Sequence, residues 1–495
     1  VIVLSTTAPT ISLALEEVGQ QQRYLGGVEL RIDLLETPQR EFLEHFLTRL
    51  VEGNPELQTI CTVRRRVDGG RSSDLDEVRL GLLERAARAG ATYIDIEGDL
   101  PDSPSITRVV EAATETGTRI IWSMHDFAGV PVDLAGVLGG LSRTPSGVPK
   151  IAVTPKSSSD LLRLLAAGRA NDAQEKIVVG MGAYGVPTRF APRHFGSMLS
   201  FCSSPGSSAA PGHVAPEILA DLYRVGRQRA TWPLFAVIGN PISHSKSPNY
   251  HNRRFIEDGI DAAYIPLLVD TAADFFALAE ALPVFGSSVT IPHKEAVIEH
   301  LDEISPEVKA ARACNTVVRS STGWLGLSTD TVGFLAPLEE QLASRLAGTR
   351  VLVLGAGGAA RGVVFALLEA GCEVFVYNRT AAKAQKLAAE ITSLGGPEVG
   401  GSIRAIDQAE ATELQGIGVV VNTTSVGMHG EGDPAPWFTF DGTQLVYDIV
   451  YTPPETPLIK RAVGKGCRVI TGDMMFAAQA AAQYELYKTL ATDGV

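Results

Sequence analysis

Val28-Glu29-Leu30-Arg31-Ile32-Asp33 is an apolar run interrupted at every second position by a charge. Side chains alternate across a strand, so Glu29, Arg31 and Asp33 share one face and Val28, Leu30 and Ile32 the other. In a closed barrel the charged face lies inside. It can serve there as part of a site or as an ion-pair network that closes the barrel floor. Outward from this stretch, short β-branched runs recur at 1–4, 59–63, 93–96, 120–123, 150–153 and 177–181, with an eighth near 198–202. Segments such as 75–89 and 158–170 carry the pattern of amphipathic helices between them. Strand and helix alternating over roughly 230 residues predict an N-terminal (β/α)8 TIM barrel, with a doubly wound open sheet as the competing architecture.

The whole chain of 495 residues is too long for one core and bounds the count at two or three domains. A hydrophobic share of 45% and a charged share of 20%, with 49 Gly and 28 Pro, describe an ordinary globular protein. The formal net charge of -13 repels phosphate backbones, which argues against nucleic-acid partners. Cysteines at 61, 202, 314, 372 and 467 show no metal-binding or disulfide spacing, so neither a metal nor a disulfide framework is expected. Apolar stretches break well before the ~20 residues that a membrane span needs. A cytoplasmic setting is expected, with an organellar targeting segment ahead of Val1 left open. The oligomeric state is also open.

Polar residues intrude at other strand ends: Arg64 after the third run, His125 after the fifth, Lys150 in the sixth and Arg189 after the seventh. Several strands thus converge on one place. A lysine held among cations and partly desolvated has its pKa pushed down, and the neutral amine can attack a ketone to form a Schiff base. Lys150 is that candidate. The protonated imine withdraws electrons, so a neighbouring carbon yields its proton to a base such as His125, which passes it to a leaving hydroxyl. The net reaction is loss of water.

Glu29-Leu30-Arg31-Ile32-Asp33, Arg64 with Asp68-Gly69-Gly70, Ser123-Met124-His125-Asp126-Phe127, Pro149-Lys150-Ile151-Ala152, and Arg189 with Phe195-Gly196-Ser197 resemble the type I 3-dehydroquinate dehydratases in order and spacing. The resemblance spans residues 1 to 228. It implies that Lys150 forms the imine, that His125 is acid and base, and that Asp68 orients His125. Glu29, Arg31, Arg64, Arg189 and His213 would bind substrate, Arg189 as a bidentate clamp on a carboxylate. Three positions depart from the family: Asp68 replaces Glu, Ala209 replaces Ser and His213 replaces Gln. Asp68 keeps the charge on a shorter stem; His213 can still donate to a substrate oxygen, whereas Ala209 cannot. The Ser/Gly/Pro-rich stretch 203–212 is expected to be a mobile loop over the barrel mouth.

A helix is expected over 216–230, and a new βα pattern begins at 234–238, so one boundary is set near 231. Further on, Val351-Leu352-Val353-Leu354 runs into Gly355-Ala356-Gly357-Gly358-Ala359-Ala360, a Gly-x-Gly-x-x-Ala turn between strand and helix. Gly355 permits the turn, Gly357 lets a pyrophosphate approach the backbone, and Ala360 keeps helix and strand close. The next strand, 373–377, ends in Asn378-Arg379-Thr380, where an NAD enzyme carries Asp or Glu. A guanidinium there suits a 2′-phosphate, so NADP(H) is the expected cofactor.

Gly239-Asn240-Pro241-Ile242-Ser243-His244-Ser245-Lys246-Ser247-Pro248 by itself offers hydroxyls that would serve as helix caps. Together with Val289-Thr290-Ile291-Pro292-His293-Lys294, Ala313-Cys314-Asn315-Thr316, Ser328-Thr329-Asp330, Val421-Asn422-Thr423-Thr424-Ser425-Val426-Gly427-Met428, the stretch 448–458, and Gly472-Asp473-Met474-Met475 with Gln479, it resembles shikimate dehydrogenase across 234 to 495. That resemblance implies that Ser245 and Ser247 hold a substrate carboxylate. Thr290, Asn315, Tyr451 and Gln479 would contact ring oxygens, and Lys294 with Asp330 would form the catalytic pair. Gly355, Ala356, Gly357, Gly358, Ala359, Asn378, Arg379, Thr380, Thr423, Gly472 and Met475 would line the cofactor. Ser288 and Ser328 stand where the family commonly has asparagine.

The two resemblances together imply a barrel over 1–230, a substrate-binding α/β domain over 231–337 completed by 471–495, and a Rossmann NADP domain over 338–470. The implied activity is dehydration of 3-dehydroquinate followed by NADPH-dependent reduction of 3-dehydroshikimate to shikimate. The partners would be these small molecules, with no nucleic acid and no membrane. A metabolite-sensing regulator built on impaired halves and a quinate-oxidising dehydrogenase are the alternatives.

Overall fold

The computed structural model describes residues 1–170, 175–207, 212–343, 346–393 and 401–493. The chain divides into two compact units, Val1–Val284 and Phe285–Val495.

Eight parallel strands build the first unit: β1 (Ile2–Ser5), β2 (Gly27–Arg31), β3 (Gln58–Thr62), β4 (Tyr93–Glu97), β5 (Arg119–Asp126), β6 (Val148–Val153), β7 (Ile177–Gly180) and β8 (Ser200–Cys202). Their order, β7-β6-β5-β4-β3-β2-β1-β8, sets the first strand beside the last, the wrap of a nearly closed barrel. At the seam between β7 and β8, Met198 N–H donates to the Lys176 carbonyl at 2.9 Å and Val178 N–H to Ser197 Oγ at 3.1 Å.

Strand alternation explains how the interior is layered. Val3, Ile60, Tyr93, Ile121, Val148, Ile177 and Phe201 form one buried apolar cluster. Two residues farther along the same strand faces come Ser5, Thr62, Asp95, Ser123 and Lys150, all buried. An apolar floor thus lies beneath a polar upper layer at the carboxyl ends of the strands, where barrel sites form.

The expected helix over 216–230 is cut short: helical backbone covers only 216–222, as a π turn over Ile218–Leu222, and Arg224 takes a left-handed φ of 52°. Tertiary contacts outweigh the helical pattern here. The Arg224 guanidinium donates to the carbonyls of Ile260 at 2.8 Å and Ala262 at 2.6 Å, and lies 4.7 Å from the Trp232 ring centroid. His194 Nε2 hydrogen-bonds the Trp232 carbonyl at 2.9 Å. These contacts cross the position of the boundary expected near 231 and bind 231–284 to the barrel. That segment contributes the parallel pair β9 (Leu234–Gly239) and β10 (Ala263–Leu268) and the helices Ser247–Glu257 and Ala272–Ala281.

In the second unit, β11 (Val284–Val289) pairs antiparallel with β13 (Thr316–Ser320), which forms a hairpin with β14 (Gly323–Leu327); β12 (Glu303–Ile304) runs parallel to β14. A parallel sheet follows: β15 (Arg350–Leu354), β16 (Glu373–Tyr377), β17 (Ser402–Ile406), β18 (Val419–Asn422), β19 (Leu445–Asp448) and β20 (Arg468–Ile470). Its order, β17-β16-β15-β18-β19-β20, is doubly wound with a switch point between β15 and β18. Val351 and Val353 enter one buried cluster and Leu352 and Leu354 another, so both faces of β15 are covered. Coverage on both sides is why this strand reads as an unbroken apolar run.

The last helix, Gly472–Asp493, packs along the helix Thr329–Leu342. A Cβ on Gly333 would lie 2.6 Å from Gln479 Cβ, so glycine sets how closely the two helices approach. Among the described residues no helix is long and apolar enough to cross a membrane.

Candidate functional site

Lys150 points from β6 into the upper layer of the barrel. Its Nζ stands 2.9 Å from Asp95 Oδ2, 3.9 Å from Glu29 Oε1 and 4.6 Å from the Phe201 ring centroid. The expected surroundings of cations are therefore corrected: carboxylates are the closest charged neighbours. Asp95 also accepts from Arg64 at 2.7 Å and from Ser123 Oγ at 2.6 Å. Arg64 in turn reaches Ser123 Oγ at 2.8 Å and Glu97 at 3.3 Å, and Arg79 bonds the other oxygen of Glu97. The adjacent guanidinium and ammonium hold the Asp95 carboxyl far below its usual range, against the opposing effect of burial. Glu29 is fixed by Ser5 Oγ at 2.5 Å and Thr62 Oγ1 at 2.8 Å. Arg31 grips Asp33 through two bonds, of 2.9 and 2.8 Å.

Asp95 and Glu97 escaped the sequence reading, although Tyr93-Ile94-Asp95-Ile96-Glu97 carries the same alternating signal as 28–33. They are the acids that balance the cations of the site.

His125 lines the same cavity as Lys150, Glu29, Arg31, Arg64 and Arg189. Its Nδ1 is buried with no hydrogen-bond partner among the described residues, as is Nδ1 of His213, which also faces this cavity. Burial, with Arg64 and Lys150 beside it, holds His125 well below the ordinary histidine value. Burial, with Arg189 beside it, does the same for His213. Both imidazoles are neutral at pH 7. Burial draws the Arg189 guanidinium down to about 10, so it keeps its charge.

Asp68 lines the cavity but does not orient His125, which corrects the expectation. Its carboxylate is bound by Arg65 Nε at 2.6 Å. The short Asp stem keeps the charge beside Arg65, and the Phe127 ring, stacked on His125 at 6.4 Å, packs against Gly69 instead. Gly69 has φ 79°, and a Cβ there would lie 2.5 Å from Phe127 Cζ. Gly212 lies against Arg189, and Ala209 lies outside the described residues.

The second unit brings Lys294 and Asp330 together: Nζ stands 2.6 Å from Oδ2, and both side chains are about one-third exposed. Asp330 sits in the first turn of the helix Thr329–Leu342, and Lys294 in the turn that follows β11. Nearby in the same unit, Asn315 Oδ1 accepts from Thr329 N–H at 2.8 Å and Thr316 Oγ1 at 2.8 Å, while its Nδ2 faces Gln479 Oε1 at 3.5 Å. Gln483, missed in the sequence, donates to the Asn315 carbonyl at 3.2 Å and accepts from Ser288 Oγ at 2.9 Å. Its spacing from Ala480, Tyr484 and Tyr487 on one helical face is the signal that could have found it. Thr290 is half-buried and its carbonyl accepts from His293 N–H at 2.9 Å; Tyr451 is exposed beside Phe476. Ser245 and Ser247 lie in the first unit, at the start of the helix Ser247–Glu257, where Ser247 N–H donates to Ser245 Oγ at 3.3 Å.

The glycine turn fits a dinucleotide. Gly355 has φ 115°, and a Cβ there would lie 2.6 Å from Thr423 Oγ1, so only glycine lets β15 and β18 meet at the switch point. A Cβ on Gly357 or Gly358 would meet nothing within 4 Å, which leaves the helix N-terminus open to an anion. Ala356 is half-buried, Ala359 exposed and Ala360 buried. Asn378 Nδ2 donates to the Thr380 carbonyl at 3.0 Å, and Arg379 is exposed at the end of β16. Gly472 is pressed against the backbone at Ile449, and Met475 packs on the core beneath β15.

Residues 2–229 match the type I 3-dehydroquinase family, 237–317 the shikimate dehydrogenase substrate binding domain and 337–399 the shikimate / quinate 5-dehydrogenase family. The bifunctional 3-dehydroquinate dehydratase/shikimate dehydrogenase of Arabidopsis thaliana, a chloroplastic protein, is 31% identical over 486 residues, covering 94% of this chain and 77% of its own. The chain belongs to the bifunctional 3-dehydroquinate dehydratase/shikimate dehydrogenase family. A shikimate dehydrogenase (NADP(+)) of Moorella thermoacetica is 41% identical over 267 residues, 52% of this chain and 89% of its own. A solved structure of the dehydroquinate dehydratase and shikimate dehydrogenase from S. pombe covers 98% of this chain and 95% of its own, at 22% identity and a TM-score of 0.43. Members of this bifunctional family join an α/β barrel to a shikimate dehydrogenase half, and both parts are present here.

Proposed function

We propose that Lys150 and His125 dehydrate 3-dehydroquinate and that Lys294 and Asp330 serve the NADPH-dependent reduction of the product to shikimate. The chain is a bifunctional shikimate-pathway enzyme, a lyase and an NADP-dependent oxidoreductase. One observation carries the assignment in the barrel: a buried amine and two imidazole nitrogens with no hydrogen-bond partner among the described residues face one cavity ringed by arginines.

In the barrel, Lys150 must first release a proton; its neutral amine then attacks the substrate ketone, whose oxygen leaves as water to form the imine. His125 accepts a proton from the adjacent carbon and returns it to the departing hydroxyl, and hydrolysis of the imine frees Lys150; one water is lost overall. Arg189 clamps the carboxylate, while His213, Glu29 and Arg31 address the ring hydroxyls. Arg64, committed to Asp95, Glu97 and Ser123, supplies positive charge beside the amine. Asp68 acts through Arg65 at the rim of the cavity.

In the second half, Ser245 and Ser247 hold the carboxylate, and Thr290, Asn315, Tyr451 and Gln479 the ring oxygens. When bound, NADPH supplies the hydride. Gly355, Ala356, Gly357, Gly358, Ala359 and Thr423 would hold its pyrophosphate side, Asn378, Arg379 and Thr380 its 2′-phosphate, and Gly472 and Met475 its nicotinamide side. Lys294, oriented by Asp330, protonates the ketone oxygen as negative charge develops there.

In the division into 1–230, 231–337 with 471–495, and 338–470, the joining of 471–495 to 231–337 is supported by the packing of the last helix on Thr329–Leu342, and the boundaries near 231 and 338 by family matches that end at 229 and begin at 237 and 337. A reducing, cytoplasmic setting is supported by five buried, unpaired cysteines. No observation favours the sensor or the quinate reading.

A coupled assay tests the proposal. Given 3-dehydroquinate and NADPH, the wild-type chain makes shikimate, Lys294→Ala accumulates 3-dehydroshikimate, and Lys150→Ala reduces only added 3-dehydroshikimate. A Lys150→Ala chain that makes shikimate from 3-dehydroquinate at the wild-type rate contradicts the assignment.

A further inference from the structure

Asp270, outside the barrel, braces the barrel's mouth. It follows β10 and immediately precedes Thr271, the N-cap of the helix Ala272–Ala281. Its Oδ2 accepts from Ser158 N–H at 2.9 Å, its own N–H donates to Ser158 Oγ at 2.9 Å, and its Oδ1 accepts from the Tyr184 hydroxyl. Ser158 begins the helix that follows β6, the strand of Lys150. The carboxylate therefore caps a helix N-terminus, where an unsatisfied N–H and the helix dipole both favour negative charge. The bond to Asp270 pushes the Tyr184 phenol up to about 12, so it remains a donor throughout the neutral range.

Tyr184 lies in the turn that joins β7 to Arg189, and that turn is stiff. A Cβ on Gly180 would lie 2.6 Å from Gly185 Cα, and one on Gly185 2.2 Å from the Gly180 carbonyl carbon, so the two backbones touch. Thr188 Oγ1 accepts from Gly180 N–H at 2.9 Å and donates to the Gly185 carbonyl at 2.8 Å. A shift of Tyr184 is therefore passed along the turn to Met181 and Arg189, which face the cavity around Lys150.

We propose that Asp270 is a positioning residue of the dehydratase site, which holds the turn bearing Arg189 through Tyr184 and Ser158. The dehydrogenase half would then set the substrate affinity of the barrel with a residue that takes no part in hydride transfer. The inference rests on the assignment of Lys150 and Arg189 to 3-dehydroquinate.

The test uses the full chain carrying Asp270→Ala, Tyr184→Phe or both, with each reaction followed separately. Tyr184→Phe deletes one hydrogen bond without touching the carboxylate, and it decides the matter if Asp270→Ala does not fold. For both single variants KM for 3-dehydroquinate rises about tenfold, the scale of one lost hydrogen bond to a charged group. Dehydratase kcat stays within about twofold, because the lysine and histidine that act on the bound substrate are untouched. The kinetics of shikimate oxidation do not change, and the double variant is no worse than Asp270→Ala. Dehydratase KM unchanged in both single variants, or kcat and shikimate oxidation falling together with it, overturns the inference and leaves the dehydratase reading standing. A wild-type chain unable to dehydrate 3-dehydroquinate overturns both.

Discussion

The Lys150 ammonium nitrogen lies 2.9 Å from an oxygen of Asp95, a carboxylate that the Arg64 guanidinium approaches at 2.7 Å. One buried anion on β4 thus holds together two cations, Lys150 on β6 and Arg64 just past the end of β3. Its removal leaves both without their shared partner, and breaking a buried pair in this way costs about 3–5 kcal/mol. Asp95→Asn should lower the urea midpoint by a corresponding amount and depress dehydration more than shikimate oxidation. A midpoint equal to wild type would show that the pair contributes nothing to stability.

The neutral imidazoles give acid stability a defined direction. His125 and His213 are held well below the ordinary histidine value when folded. In the unfolded chain both take up protons below about pH 6.5, so acidification favours unfolding. Their contribution is complete above that pH and is lost as the pH falls toward the folded values. The urea midpoint should drop between pH 7.5 and 5.5, and His213→Gln should make the drop smaller. An equal drop in His213→Gln would exclude His213 as a contributor.

Lys294 and Asp330 act on one carbonyl oxygen in the second half. Lys294→Ala should lower kcat for shikimate oxidation by about 10²- to 10⁴-fold, the usual contribution of a positioned acid or base, with dehydration unchanged. Steady-state assays of each reaction check both statements.

Arg379 should set the choice of cofactor phosphate. Arg379→Gln should reduce the preference for NADPH over NADH by about tenfold, as expected for one lost charge-assisted bond. Gly355→Ala should weaken both cofactors alike, because its Cβ would lie 2.6 Å from Thr423 Oγ1 at a φ of 115°. Ratios of kcat/KM for the two cofactors separate these effects.

Features that depend on local alternation or on a turn could be read from the sequence. Glu29, Arg31 and Lys150 stand out as charges in apolar strands, and the sheet at Val351–Leu354 follows from an apolar run entering a glycine turn. Features set by tertiary partners could not. Asp68 was expected beside His125, but Arg65, three residues away, takes its carboxylate. The helical pattern over 216–230 stops at Leu222, and Arg224, bonded to the carbonyls of Ile260 and Ala262, takes a left-handed backbone. Asp95 carries a legible alternating signal, but its role emerges only when β4 is set beside β3 and β5.

Borohydride trapping tests the central claim most directly. Reduction of the wild-type chain during turnover of 3-dehydroquinate should leave a stable secondary amine on Lys150, located by peptide mass spectrometry and absent from Lys150→Ala. Dehydration that proceeds at full rate with no adduct on Lys150, or an adduct on a different lysine, would contradict the account.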